Sequence, residues 1–214
     1  MKRIVKVIMC IVLLCLFIVV GISLYVGNYI YDYTINPHST KSIFERLDID
    51  DKKSESAKKW LDNNGEDIYR YSDDGLKLHS YYVSGNSDVT VILVHGYRSE
   101  AASVINPVKQ FYSKDYNMLI PDLRGHGKSE GDYIGMGIDD RKDIMMWIDY
   151  LIDCDHQNIV LYGISMGGAT VLNVSGEELP LQVKAIISDC AYSSIIELLK
   201  YHLDFSDIKN KMAL

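Results

Sequence analysis

The chain opens with a long uncharged apolar segment. From Val7 to Val26 the sequence reads VIMCIVLLCLFIVVGISLYV. At about 1.5 Å of rise per residue this predicts a helix of about 30 Å, the thickness of the hydrocarbon core of a bilayer. The side-chain charges before the segment are all basic, whereas the first charge after it is Asp32. This asymmetry predicts a single-pass anchor in the cell membrane, with residues 1–6 in the cytoplasm and the following domain extracellular.

A cleaved signal peptide is the alternative interpretation of this segment. The apolar run is longer than the usual apolar region of a signal peptide, about 7 to 15 residues, and no A-x-A cleavage site follows it. Neither Cys10 nor Cys15 follows a small residue, as a lipoprotein signal would require. We therefore expect an uncleaved transmembrane helix over residues 7–26.

Beyond the anchor the pattern changes from polar to periodic. Residues 27–68 are largely polar and predict a juxtamembrane spacer with a short helix over 54–61. Residues 69–214 predict one domain in which strands alternate with helices, which is typical of an α/β fold with a mostly parallel sheet covered on both faces. The predicted strands lie at 76–83, 89–96, 116–122, 158–163 and 183–189, and the predicted helices at 101–112, at 139–154, after Gly167 and after Ser193.

Composition excludes some functions and leaves others open. The formal net charge of −7 over 214 residues disfavours a nucleic-acid binder, because no basic stripe is present to neutralise phosphates. No CxxC, HExxH or His/Cys cluster with ligand spacing occurs, so the sequence predicts neither a metal site nor a cofactor. The sequence leaves open whether Cys154 and Cys190 form a disulfide.

Ser165 is the strongest candidate for chemistry. It lies between Gly163 and Gly167 in LYGISMGGAT, directly after a predicted buried strand and at the start of a predicted helix. Such a turn presents a nucleophilic serine at the edge of a sheet. The main-chain N–H of Met166, the next residue, and that of Tyr97, at the end of an earlier strand, are the predicted oxyanion donors.

Three motifs in order resemble one known family. The segments VILVHGYRS, IPDLRGHGKSEG and LYGISMGGAT are similar to the α/β-hydrolase superfamily, in particular to membrane-anchored bacterial serine hydrolases of the serine aminopeptidase-like and acyl hydrolase branch. The resemblance covers about residues 69–205. It implies that Ser165 is the nucleophile, that Tyr97 and Met166 are the oxyanion donors, and that His95 is structural. Residues 122–127 would then shape the loop beside the site.

The acid and the base of a triad are harder to find. In this fold they follow the serine in the order acid, then histidine. Of the six histidines only His202 lies after Ser165. Asp189 with His202 would form an unusual triad, and we expect instead that the chain is truncated at its C-terminus.

Two functions therefore stay open. One is a hydrolase that acts through Ser165 on a small-molecule or peptide substrate with an ester, thioester or peptide-like acyl group. The other is an inactive truncated fragment or a membrane-anchored pseudoenzyme.

Overall fold

The computed structural model describes residues 2–40 and 51–202 of the 214-residue chain. Two helices, α1 (Lys2–Thr34) and α2 (Asp51–Asn64), precede a six-stranded sheet. The last residues of the predicted domain, 203–214, lie outside the described residues, as do residues 41–50. The strands are β1 (Glu66–Tyr71), β2 (Lys77–Val83), β3 (Val89–Val94), β4 (Asn117–Pro121), β5 (Asn158–Ile164) and β6 (Val183–Asp189). The later helices are a 3-10 turn (Ala101–Val104), α3 (Ile105–Tyr112), α4 (Asp140–Asp153), α5 (Met166–Val174) and α6 (Ile195–His202).

The sheet has the order β1-β2-β4-β3-β5-β6. Strand β3 pairs in parallel with both β4 and β5, and β5 pairs in parallel with β6. Strand β2 pairs antiparallel with β1 and with β4, so it alone of the described strands runs against the others. The prediction of a mostly parallel sheet with helices on both faces is confirmed.

Strand β3 shows why the central strands read as continuous apolar runs. Its side chains alternate between two buried clusters, with Ile92 and Val94 on the face covered by α4 and α5. Val91 and Leu93 lie on the opposite face, against α2 and the segment that ends in α3. A strand that is covered on both faces buries every side chain, which removes the polar alternation of a half-exposed strand.

Residues 51–68, within the predicted spacer of residues 27–68, contain a helix and the start of a strand. Helix α2 extends over 14 residues and buries Ala57 and Leu61 against the sheet. Strand β1 starts at Glu66 and pairs with β2 along its length. Its side chains are mostly exposed because it lies at the sheet edge, so its sequence, EDIYRY, carries no strong apolar alternation. Part of the polar stretch therefore packs on the domain.

Helix α1 continues well past the apolar segment. It has 33 residues and is long and apolar enough to cross a membrane, a test that a signal sequence also passes. Directly after the helix, Ile35 packs against the core cluster of α4 and α5. Cys154 and Cys190, whose pairing the sequence leaves open, are both free and exposed.

Candidate active site

Ser165 occupies the one-residue turn between β5 and α5. Its backbone has φ 56° and ψ −116°, a conformation that L-residues rarely adopt and that costs free energy unless the surroundings fix it. The main chain of β6 helps to hold Ser165 in this conformation, because the Ser165 N–H donates to Asp189 O at 2.8 Å. The side chain is partly exposed. The structure therefore holds a serine in a strained turn at the carboxyl edge of the parallel sheet.

The two flanking glycines are required by close approach of main chain. A Cβ at Gly163 would lie 2.1 Å from the carbonyl oxygen of Gly167. A Cβ at Gly167 would lie 2.2 Å from the carbonyl oxygen of Val94, at the end of β3. Both distances are impossible for real atoms, so only glycine lets β5, α5 and β3 meet this closely. The spacing around Ser165 is thus a requirement of the fold.

The turn after β3 passes directly beside Ser165. A Cβ built on Gly96 would be 3.5 Å from Ser165 Cβ and 3.9 Å from its Oγ. Tyr97 follows this glycine, so its main chain lies near the serine. On the other side Met166 is the first residue of α5, and the first helical bond is the one from Ala169 N–H to Ser165 O, at 3.0 Å. The N–H of Met166 therefore lies in the first turn, where no intrahelical acceptor exists.

His95 and His126 are buried and neutral. The Nδ1–H of His95 donates to Gly96 O at 2.8 Å, and its Nε2 accepts from Leu123 N–H at 3.0 Å. His126 donates to Arg124 O at 2.9 Å and accepts from Arg98 N–H at 3.2 Å. Burial lowers the pKa of His95, and burial together with His95 lowers the pKa of His126 to about 3. Both rings hold loops in place, and that of His95 joins the turn after β3 to the loop after β4.

Asp122 organises the loop after β4. Its carboxylate accepts hydrogen bonds from His79 Nδ1 at 2.7 Å, Ala101 N–H at 2.8 Å and Lys128 N–H at 3.0 Å. Burial by itself raises the pKa of this carboxyl, but the hydrogen bonds outweigh it and hold the pKa below its usual range. The other ring nitrogen of His79 lies 2.7 Å from the carboxylate of Asp67. The sequence predicted Asp122 as a loop residue but not its pairing with His79.

Arg124 holds the same loop to the rest of the domain. Its guanidinium makes two bonds of 2.7 Å to the carboxylate of Asp143 and one of 2.9 Å to Asp74. A third partner is the hydroxyl of Tyr133 at 2.8 Å. Sequence reasoning missed Asp74 and Asp143, because partners 50 and 19 residues away from Arg124 leave no local spacing signal.

The candidate acid and base are placed only in part. Asp189 ends β6 next to Ser165, and its carboxylate accepts from Tyr162 OH at 3.1 Å. His202 is the last residue of α6, and its side chain lies outside the described residues. Over residues 2–40 and 51–202, no described histidine ring is hydrogen-bonded to Ser165, and no group of His, Cys, Asp or Glu is arranged to hold a metal ion.

Comparison with known proteins assigns this architecture to one family. The family model described as "Serine aminopeptidase, S33" matches residues 85–208, more than half of the chain. The chain is 27% identical over 138 residues to uncharacterized protein YfhR of Escherichia coli K12, covering 61% of this chain and 49% of that protein. It is 25% identical over 172 residues to uncharacterized protein YqkD of Bacillus subtilis strain 168, covering 73% and 56% respectively.

A solved structure supports the same assignment. The Pyrococcus furiosus esterase Pf2001 superposes with a TM-score of 0.56 and 26% identity, covering 69% of this chain and 65% of that one. The chain spans about half the length of the curated relatives it matches. These similarities establish the fold and the relationship, whereas the chemistry of the present chain depends on its own residues.

Proposed function

Because the chain belongs to the serine aminopeptidase S33 family of α/β-hydrolases, we propose that it is a serine hydrolase that acts on an ester, thioester or peptide-like acyl substrate. The observation that carries this proposal is the turn at Ser165. A simple connection between a strand and a helix does not need a serine at φ 56°. Here the serine is partly exposed and lies beside the turn that contains Gly96. Strain of this kind clusters at functional sites.

The proposed reaction is acyl transfer. Ser165 Oγ attacks the acyl carbonyl, and its proton passes to a general base. The proposed donors to the oxyanion that forms are the N–H groups of Tyr97 and Met166, which belong to the two turns beside Ser165. The leaving group departs with a proton, and water then hydrolyses the acyl-enzyme. His202 is the candidate base after Ser165, with Asp189 as its acid.

The proposed location follows from α1. A helix that is long and apolar enough to cross a membrane, with basic residues before it, supports a single-pass anchor with a cytoplasmic N-terminus and an extracellular domain. We expect protease added to intact cells to degrade the domain. Protection of the domain until the cells are lysed would contradict this orientation.

A fluorophosphonate probe tests the nucleophile directly. We expect the full chain in detergent to be labelled at Ser165 and the labelling to disappear in Ser165→Ala. Ser175→Ala is the matched control, because Ser175 is an exposed serine at the end of the same helix and should not affect labelling. Labelling that survives Ser165→Ala, or no labelling of the wild-type chain, would overturn the proposal.

Adding His202→Ala to these variants separates a hydrolase that uses His202 as its base from one that works without it. With p-nitrophenyl acetate, turnover that is lost in both Ser165→Ala and His202→Ala would assign His202 as the base. Slow turnover that is lost in Ser165→Ala but retained in His202→Ala would show that the serine works without that histidine. The expected rate is then roughly 10³ to 10⁴-fold above that in water, as an oxyanion hole and substrate binding alone provide.

A further inference from the structure

The end of α1 is bonded to the turn that carries Tyr97. The hydroxyl of Tyr97 donates to Thr34 O, the last residue of α1, at 2.6 Å. The guanidinium of Arg98 donates to Asn36 O at 2.9 Å, to Asp32 O at 3.4 Å and to Ser39 O. The two side chains therefore bind the main chain of one short stretch, residues 32–39.

These bonds provide hydrogen-bond acceptor groups at the C-terminus of α1 with donors. The last four carbonyl groups of an α-helix have no partner within the helix, and a cation at this end is favoured by the helix dipole. Asp32 and Thr34 are in the last turn of α1. Arg98 donates to Asp32 O and Tyr97 donates to Thr34 O, so the two side chains together cap the C-terminus of the helix, with Arg98 supplying the charge. Thr34 as a residue is buried, so its carbonyl group needs a partner within the protein.

Further contacts hold the same stretch against the neighbouring loop. Tyr31 OH donates to Asp132 O at 2.6 Å, and Ile134 N–H donates to Ile35 O at 2.7 Å. A Cβ at Gly125 would lie 3.3 Å from the ring of Pro37. We call residues 31–39 the docking segment. It contacts two loops at the edge of the sheet where Ser165 lies.

Arg98 also has an unusual backbone conformation. Its φ is 49°, in the left-handed region that a residue with a side chain adopts only when its surroundings fix it. Its N–H is fixed by Nε2 of His126 at 3.2 Å, and its side chain by the carbonyls of the docking segment. A change at either end would let the turn relax, and Tyr97 would move with it.

We propose that Arg98 is a positioning residue, which caps α1 and thereby fixes the turn that holds the Tyr97 N–H beside Ser165. The docking segment is then part of the machinery that orients one oxyanion donor. This inference rests on the proposed function of Ser165, and it adds a dependence of that site on a segment outside the α/β domain.

The test uses the full chain in detergent, with the variants Arg98→Ala, Arg98→Lys and Tyr97→Phe. Tyr97→Phe keeps the main chain and removes only the hydroxyl, which donates to Thr34 O and accepts from Arg98 Nε at 2.9 Å. Arg70→Ala is the control, since Arg70 is an exposed arginine on β1 that stacks on Tyr150, 4.2 Å from the ring centroid.

Two measurements are made on each variant. The first is the rate of fluorophosphonate labelling of Ser165, separated into the maximal rate and the half-saturating concentration. The second is amide hydrogen exchange in residues 95–99 and 132–134. Loss of one oxyanion donor slows reactions by about 10² to 10³-fold, so a displaced donor in Arg98→Ala should lower the maximal labelling rate at least about tenfold, without a change in the half-saturating concentration.

The variants should form a series. Arg98→Lys keeps the charge but not the fork of donors, so it should recover part of the rate. Tyr97→Phe should lower the rate several-fold, and Arg70→Ala should leave it unchanged. Exchange in both segments should become faster in Arg98→Ala and Tyr97→Phe.

Each result decides the proposal. A normal labelling rate in Arg98→Ala, with faster exchange only in residues 132–134, would mean that Arg98 only attaches α1 to the α/β domain. This result would overturn the proposal. If the wild-type chain is not labelled, the proposed function fails and exchange alone decides, since unchanged exchange in residues 95–99 would overturn the role of Arg98. If Arg98→Ala does not fold, the labelling rate and the exchange of Tyr97→Phe are compared with those of the wild type instead, and the same outcomes decide the proposal.

Discussion

Two loops at the same edge of the sheet use polar residues in opposite ways. The loop after β4, residues 122–127, buries Asp122, Arg124 and His126 and bonds each of them to several partners. The turn after β5 contains one partly exposed serine, Ser165, whose backbone is strained and whose main chain bonds to Asp189 O. The first loop is conspicuous in sequence because of its charges and histidine, yet its groups are used to hold the architecture.

The difference shows how to separate structural from reactive polar groups in this fold. A buried histidine with both ring nitrogens engaged has neither a free lone pair nor a path to substrate. A serine in a strained turn has little role in stability, because a glycine would fit the same backbone better. The following three predictions test this contrast, from the largest expected effect to the smallest.

Replacing Asp122 should damage the fold most. Asp122→Ala leaves His79 and two main-chain N–H groups buried without their acceptor, and breaking a buried charged network of this kind typically costs about 3 to 5 kcal/mol. Urea unfolding of the full chain in detergent, followed by tryptophan fluorescence, measures the loss. Asp149→Ala is the control because Asp149 is an exposed carboxylate on α4. A loss below about 1 kcal/mol would show that the loop after β4 is not held by this network.

Asp140 sharpens the contrast because it is buried like Asp122 but incompletely bonded. Its Oδ2 accepts from Gly137 N–H at 2.7 Å, whereas its Oδ1 has no hydrogen-bond partner among the described residues. Burial raises the pKa of this carboxyl to about 7, and the nearby carboxylate of Asp143 adds to the rise while Arg124 opposes it. Folding therefore favours the protonated form, and the contribution of Asp140 to stability should fall as the pH rises from about 4 to 7. This contribution is measured against a variant without the carboxyl, because buried His95 and His126 change stability in the opposite direction over the same pH range.

Asp140→Asn removes this dependence. The amide oxygen still accepts from Gly137 N–H, and no charge has to be buried. We expect the variant to be more stable than the wild type by about 2 kcal/mol at pH 8, and the difference to become small near pH 4, where the carboxyl is protonated in the folded state and about half protonated in the unfolded state. Thermal unfolding at the two pH values measures it. An equal difference at both would show that packing, rather than ionisation, distinguishes the two side chains.

The smallest effect is expected at Ser165. Ser165→Gly relieves the strain of a positive φ but increases the freedom of the unfolded chain, so the net gain in the free energy of unfolding should be about 1 kcal/mol. Ser165→Ala keeps the Cβ and should leave stability unchanged. A stability loss in the glycine variant would mean that the hydroxyl has a structural role and would weaken the contrast between the two loops.

The sequence predicted every described strand of the sheet except β1, which lies at one edge. Strands β3, β4 and β5 are apolar runs, and the glycines around Ser165 indicate a tight strand-to-helix turn. Strand β1 was missed because an edge strand with exposed side chains has little apolar periodicity. The pairing of His79 with Asp67 and Asp122 depends on residues 12 and 43 positions apart, which only the folded sheet brings together. The roles of Ser165, Tyr97 and Met166 stay predictions.

The docking segment has a mechanical consequence for the whole molecule. A domain on a flexible linker reorients freely, whereas here α1 continues without a break to Thr34 and is bonded to the α/β domain immediately afterwards. Where α1 spans a bilayer, the helix and the domain therefore tilt together as one rigid body. Transmembrane helices adjust their tilt, on average about 20°, to the thickness of the surrounding lipid. Bilayer thickness would then set the angle at which the Ser165 edge of the sheet faces the membrane surface.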